Sequence, residues 1–137
     1  MIEDLTIYLC GPINGRTDTE CKTWREEAKK LWPGRCLDPM RRDYRGRELE
    51  PGITAEIVAG DLDDITNSHG LLVFYDGPSV GTSMEVFHAK HNLGRPVVVV
   101  DVSGRPPSPW LVHHADKVVP SVQIALGHLL ALCARRA

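Results

Sequence analysis

The chain has 137 residues and a mass of 15.2 kDa, the size of one domain with a single core, so residues 1–137 are expected to form one domain. A formal net charge of −2 gives no electrostatic support for binding nucleic acid or an anionic membrane surface. No apolar run approaches the roughly 20 residues of a membrane-spanning helix, and the N-terminus lacks the pattern of a signal peptide. A charged fraction of 25% beside 42% hydrophobic residues excludes a disordered chain.

Cysteine and histidine usage gives no sign of a metal site. The four cysteines form no CxxC pair, so we expect reduced thiols and a cytoplasmic protein; they are Cys10, Cys21, Cys36 and Cys133. His88 and His91 lack a third ligand, which favours a solvated or partly buried helix face over zinc. The glycine-rich turns match neither the P-loop nor the dinucleotide fingerprint, and we expect no cofactor.

Strand and helix patterns alternate along the chain. A capping-box pair, Thr17 and Glu20, opens a first helix that ends at about Trp32. The predicted strands are 5–10, 36–37, 70–75, 96–102 and 117–119, and the other predicted helices are 53–68, one beginning near Thr82, and 121–134. This order predicts an α/β fold, a flavodoxin- or Rossmann-like three-layer sandwich with a mainly parallel five-stranded sheet.

Residues 39–52, PMRRDYRGRELEPG, contain four arginines and no apolar periodicity. This pattern predicts a long, mobile, polar loop, and long loops in compact domains tend to be functional. Arg41, Arg42 and Arg45 are compatible with plain surface charge and equally with a clamp for a phosphate group.

Asp61 is an anomaly in the second helix. At helical spacing it falls in the same arc as four apolar residues, Ile57, Val58, Leu62 and Ile65. A carboxylate on an inward face is costly without a partner or a task, and burial raises its pKa, which suits a proton donor. The plainer interpretation is a polar side chain satisfied by a neighbouring loop.

Glu85 follows a buried strand and a turn of small residues, where open α/β sheets bind their ligands. Thr82 and Glu85 have capping-box spacing, so Glu85 would ordinarily close back on its own helix. The functional alternative is that the helix N-terminus keeps Glu85 ionised as a carboxylate nucleophile. Paired with a protonated Asp61, it would reproduce the acid and nucleophile of a glycosidase. The turns GPINGR and DGPSVGT offer amides and hydroxyls for an oxyanion, or ordinary turn chemistry.

Three segments together resemble the nucleoside 2-deoxyribosyltransferase superfamily: IYLCGPINGR, GDLDDI, and PSVGTSMEVFHA followed by GRPVVVV. The resemblance covers most of the chain. It implies that Glu85 is the catalytic glutamate that attacks the anomeric carbon. It further implies that Asp61 hydrogen-bonds the base and helps it leave, and that Tyr8 lies near the sugar.

One position separates two branches of this superfamily. Transferases of free nucleosides typically have an acidic residue six positions before the glutamate, where this chain has Ser79. The serine resembles the branch of deoxynucleoside 5′-monophosphate N-glycosidases, which use it on the phosphate. A hydroxyl donates to a phosphate, whereas a carboxylate would repel it. That branch also carries a Gly-Ser-Ile-Arg-Gly loop; here its serine and arginine are displaced or missing, and Arg16 is the candidate substitute.

The resemblance implies a substrate site made of Gly11, Ile13, Asn14, Gly15, Arg16, Asp76, Ser79, Gly81, Met84 and Ser108. Ser108 matches a serine that enters the neighbouring subunit's phosphate site, which implies a homodimer. The implied activity is cleavage of the N-glycosidic bond of (2′-deoxy)nucleoside 5′-monophosphates through a covalent glycosyl-Glu85 intermediate.

Two alternatives stand beside this activity: a transferase that swaps bases on free deoxynucleosides, and a nucleotide-binding sensor without turnover. A purely structural α/β module is disfavoured because it leaves Asp61 on an apolar face without a task. The candidate determinants of base choice are the loop 39–52 and three aromatic residues, Tyr8, Trp24 and Tyr44.

Overall fold

The computed structural model describes residues 1–136, which form five strands and five helices. Their order is β1 (Thr6–Cys10), α1 (Asp18–Leu31), β2 (Arg35–Leu37), α2 (Ile53–Thr66), β3 (Gly70–Tyr75), α3 (Val80–Phe87), β4 (Val97–Asp101), α4 (Pro109–His114), β5 (Lys117–Val119) and α5 (Val122–Arg136). A π-helical turn, His88–Asn92, continues α3, and Pro39–Arg41 forms a 3-10 turn. The short helix α4 is an element that the sequence analysis did not identify.

All four strand pairings are parallel, and the strand order is β2-β1-β3-β4-β5. This is the flavodoxin-like order, so the predicted fold class is confirmed. The direction of the strand order reverses between β1 and β3, and Cys10, the last residue of β1, is in register with Val73 of β3. A ligand site is therefore expected where the β1–α1 loop and the β3–α3 turn leave the sheet side by side.

The sheet separates two apolar layers, which confirms the three-layer arrangement. On one face α1 and α5 bury Trp24, Ala28 and Leu129 against the strands. On the other face α2, α3 and α4 supply one buried anchor each, Ile65, Val86 and Leu111. Strand β4 is almost fully buried on both faces, as its run of valines predicts.

Helix α1 begins and ends where the sequence predicts. Thr17 accepts from the Glu20 amide at 3.2 Å, and the Glu20 carboxylate accepts from the Thr17 amide at 3.0 Å, completing the capping box. The chain leaves the helix at Trp32, whose indole N–H donates to the Leu5 carbonyl at 2.9 Å.

Helix α2 differs from its prediction in length and in orientation. It ends at Thr66 rather than Ser68, and Val58 and Leu62 are 52% and 37% exposed. Its buried side chains are Ile53, Asp64 and Ile65. The predicted inward arc is therefore wrong in part: Ile65 packs in the core against the sheet, whereas Val58 and Leu62 face solvent. Across residues 1–136, no helix is both long and apolar enough to cross a membrane.

Candidate active site

Helix α3 starts one turn earlier than the sequence predicts, and this changes the surroundings of Glu85. Ser79 is the N-cap, and its hydroxyl accepts from the Thr82 amide at 3.4 Å. Glu85 therefore lies in the second turn rather than the first, too far along the helix to close a capping box on Thr82. Both the capping-box interpretation and the expected first-turn position are wrong.

The Glu85 carboxylate points across to β1 instead. It accepts a short hydrogen bond from the Tyr8 hydroxyl and contacts the Cys10 thiol at 3.7 Å. Tyr8 is 1% exposed and sits mid-strand, so its phenol has a fixed position on the sheet face that α3 covers. Burial raises the pKa of Tyr8 well above its usual value, and the neighbouring Glu85 charge raises it further, so the phenol remains a donor.

Glu85 is itself a proton-binding group near neutral pH. Burial raises its pKa to about 8, and the nearby Asp61 adds to the shift, while the hydrogen bond from Tyr8 and the charge of Arg25 oppose it. The expectation that the helix N-terminus keeps Glu85 ionised is therefore wrong: the carboxylate lies past the first turn, where the helix dipole has little effect.

Asp61 is partly buried, with 22% of its side chain exposed, and Arg42 Nη2 donates to its Oδ1 atom at 3.2 Å. Burial raises the pKa of Asp61, which agrees with the expectation, and Arg42 opposes that effect. The two carboxylates do not diverge as predicted, however, because burial raises the pKa of both.

Tyr8, Asp61 and Glu85 line one pocket of about 330 Å³ at the carboxyl end of the sheet. Six of the predicted substrate residues line it with them, namely Gly11, Ile13, Asn14, Arg16, Ser79 and Gly81. At Gly11 a Cβ atom would lie 2.6 Å from the Trp24 ring, so this turn requires glycine.

Four predicted substrate residues lie outside this pocket. Met84 and Ser108 line a neighbouring apolar groove that also reaches Asp61 and Glu85. Asp76 forms an ion pair with Arg16 at the rim, and Gly15 lies in the loop with a positive φ of 71°. The structure thus brings the carboxylates and the phenol together and leaves these four residues beside the pocket.

The loop 39–52 is tied down by ion pairs rather than free. Arg41 and Arg42 both donate to Asp64, and Arg45 pairs with Asp18 at 2.5 Å and Asp43 at 2.7 Å. Arg42 and Arg45 line the pocket together with Tyr44. Arg41 and Arg42 are thus held by carboxylates through their Nη2 nitrogens, and Arg45 by Asp18 and Asp43, so these arginines are not loose surface charge. The phosphate clamp stays a prediction.

Two neighbours of the pocket, Asp64 and Arg25, were not predicted from the sequence. Asp64 is 5% exposed and anchors both arginines, and it was present in the GDLDDI segment without being singled out. Arg25 is fully buried and donates to the Gly11 carbonyl at 3.0 Å, holding the loop that borders the pocket. Arg25 lies four residues after Cys21 and three residues before Ala28, which places it on the buried stripe of α1. This spacing could have predicted from the sequence that Arg25 is buried.

Trp24 does not belong to the site. Its ring stacks on Phe74 at 5.0 Å within the core, so its predicted role in base choice is wrong. His91 stacks on Phe87 at 4.8 Å. Within residues 1–136, no cluster of three or more His, Cys, Asp or Glu side chains is arranged to hold a metal ion.

Solved structures share this fold. A 2-deoxyribosyltransferase from the psychrotolerant bacterium Bacillus psychrosaccharolyticus superposes with a TM-score of 0.69 at 18% identity, over 87% of this chain and 88% of that one. A conserved protein from Enterococcus faecalis V583 superposes with a TM-score of 0.70 at 18% identity, over 98% and 99% of the two chains. No protein-family model and no curated protein matches the sequence. At this identity the likeness establishes the fold.

The raised pKa of Glu85 predicts a stability that declines with pH. The folded state binds a proton at Glu85 up to about pH 8, whereas an unfolded glutamate releases it near pH 4.5. Relative to Glu85→Gln, the free energy of unfolding of the wild type should fall by up to about 1.4 kcal/mol per pH unit between these values. Urea denaturation at about pH 5, 6.5 and 8 measures this. Glu27→Gln, a substitution of an exposed glutamate, is the control. The prediction is contradicted if the difference in free energy of unfolding between the wild type and Glu85→Gln does not change with pH.

Proposed function

We propose that this protein is an enzyme that cleaves the N-glycosidic bond of (2′-deoxy)nucleoside 5′-monophosphates. The observation that carries the proposal is the Tyr8–Glu85 hydrogen bond at the floor of a pocket that also holds Asp61. A retaining glycosidase uses one positioned carboxylate as the nucleophile and a second, protonated carboxyl beside it as the general acid. The shared fold with a 2-deoxyribosyltransferase supports a nucleoside-type substrate.

The reaction has two steps. In the first, the reactive form has Glu85 ionised and a proton on Asp61: the Glu85 carboxylate attacks C1′, the bond from C1′ to the base nitrogen breaks, and the base takes the proton from Asp61, directly or through water. In the second, water adds to C1′ and gives up its proton to Asp61, and the ester bond to Glu85 breaks. The products are the free base and the sugar 5-phosphate.

Tyr8 orients the nucleophile in this scheme. Its phenol donates to one Glu85 oxygen and so limits the rotation of the carboxylate. Because a hydrogen bond to the charged form favours ionisation, Tyr8 also counteracts the burial that keeps Glu85 protonated.

The α3 N-terminus is the proposed phosphate subsite. Ser79 and Gly81 line the pocket at the start of this helix, where backbone amides and the helix dipole favour an anion. Arg16 lines the same pocket, and its guanidinium forms an ion pair with Asp76 at the rim. A bound phosphate would compete with Asp76 for the Arg16 guanidinium.

A transferase acting on free nucleosides is the second candidate, favoured by the activity named for the Bacillus psychrosaccharolyticus protein. It uses the same glycosyl-Glu85 intermediate, with a second base replacing water. A sensor without turnover is the third. Cysteine usage supports a cytoplasmic location for any of them, since all four cysteines are free thiols.

We also propose a homodimer. The apolar groove beside the pocket, of about 950 Å³, exposes large side chains of three helices, including Leu62, Met84 and Trp110. Trp110 is 71% exposed, and adjacent exposed apolar side chains are typical of protein interfaces. Ser108, at the N-cap of α4, borders this groove and would face the neighbouring site.

Incubation with each 2′-deoxynucleoside and each 5′-monophosphate, with and without adenine, tests the function. We expect free base from monophosphates only, with no effect of adenine. Glu85→Gln should lower that rate at least about a thousandfold because the nucleophile is lost, while Glu27→Gln retains it. Base exchange on free nucleosides would instead establish the transferase, and substrate binding without base release would establish the sensor.

The phosphate subsite is tested by Ser79→Asp. Aspartate caps helices as well as serine does, so the fold should be retained, but its charge repels a phosphate dianion. We expect kcat/KM for monophosphates to fall at least about tenfold in Ser79→Asp, and to fall less in Ser79→Asn, which also caps the helix but carries no charge. Equal losses in the two variants would argue against a phosphate at this turn.

Trp110→Asp tests the dimer. Light scattering of the wild type should give about twice the chain mass of 15.2 kDa, and the variant should give the monomer. Val112→Asp is the matched control because Val112 is also exposed on α4 but does not line the groove. A monomeric wild type would refute the homodimer.

A further inference from the structure

We propose that Arg42 is a positioning residue that holds the Asp61 carboxyl for proton transfer to the leaving base, a role that rests on the function proposed above. Arg42 Nη2 donates to Asp61 Oδ1 at 3.2 Å and to Asp64 Oδ2 at 2.8 Å. Arg42 also borders the pocket. One guanidinium thus links the proposed proton donor to a second carboxylate that does not line the pocket.

Asp64 anchors this arrangement. Its side chain is 7% exposed and accepts from Arg41 Nη2 at 3.0 and 3.2 Å in addition to Arg42. A buried carboxylate held by two guanidinium groups has little freedom to move. The position of Arg42 is therefore set from the Asp64 side, and Arg42 passes that constraint to Asp61.

Gly60 provides an independent sign that the position of Arg42 matters. A Cβ atom on Gly60 would lie 2.7 Å from Arg42 Nε, so the guanidinium lies directly against the helix backbone there. Glycine inside a helix is less favourable than alanine. Helix propensity therefore does not explain why glycine occupies position 60, whereas the close approach of Arg42 does.

Titratable groups on several elements interact with Asp61. Beyond Arg42 and Asp64, they are the neutral Tyr8 phenol and Cys10 thiol of β1, Arg25 of α1 and Glu85 of α3. Arg42 is the cation in direct hydrogen-bond contact with Asp61, and it offsets part of the effect that burial has on the pKa of Asp61. Its removal should therefore alter both the position and the protonation of Asp61.

The kinetic test compares Arg42→Gln with Arg47→Gln. Arg47 lies in the same loop, pairs with Glu50 and does not line the pocket, so its variant should match the wild type. Arg42→Gln should lower kcat for base release by about tenfold or more, with KM changed less than about threefold. Arg42→Lys should recover part of the loss because it keeps the charge. A kcat of Arg42→Gln within about twofold of the wild type would overturn the proposal.

A second readout does not depend on turnover. The Asp61 carboxyl carbon is titrated by 13C NMR, with Asp61→Asn used to assign the signal. Loss of the neighbouring cation should move the titration midpoint to higher pH in Arg42→Gln and leave it unchanged in Arg47→Gln. If the wild type releases no base from any substrate, the proposed function fails while this titration still decides the Arg42–Asp61 coupling. An unmoved midpoint overturns it.

Gly60→Ala provides the third comparison. The added methyl group displaces Arg42, while alanine favours the helix, so folding should be retained. In the wild-type background this variant should reproduce the fall in kcat and the raised Asp61 midpoint. In the Arg42→Gln background it should have no further effect. Equal effects in both backgrounds would show that Gly60 acts without Arg42 and would overturn the proposal.

Discussion

The hydrogen bond between Tyr8 and Glu85 is the constraint on which the site depends. A phenol buried in the middle of a parallel strand requires a partner for its hydroxyl, because β1 already uses its backbone groups in the sheet. Helix α3 supplies that partner because its N-cap is Ser79, which places Glu85 in the second turn and facing the strand. The packing of one helix on one strand therefore decides where the candidate nucleophile lies.

The same burial sets the proton chemistry. Burial raises the pKa of both carboxyls, that of Glu85 to about 8, and the charge of the nearby Asp61 contributes to the shift of Glu85. A pair that holds one proton near neutral pH contains both an acid and a nucleophile. Arg25 favours the ionised form of both carboxyls, and Arg42 favours that of Asp61, so these cations oppose the effect of burial.

Local signals in the sequence predicted most of the fold and only part of the site. The valine run of β4 and the capping box of α1 depend on neighbouring residues, and both were found correctly. The orientation of α2 was missed because it depends on which turn of the helix meets the sheet. The hydrogen-bond partner of Glu85 was also missed, because Tyr8 is distant from it in sequence. Thr82 is nearer in sequence and has capping-box spacing, but it does not bind Glu85 in this way.

The loop 39–52 shows how charge can order a segment that has no apolar anchor pattern. Its arginines meet carboxylates supplied by α1 and α2, and a single buried acid, Asp64, fixes two of them. Because Arg42 of this loop also contacts Asp61, any ligand group that draws the loop away from α2 also perturbs the proposed proton donor. In the proposed function, ligand recognition at the loop and proton transfer at the carboxylates are therefore coupled through the Arg42 guanidinium.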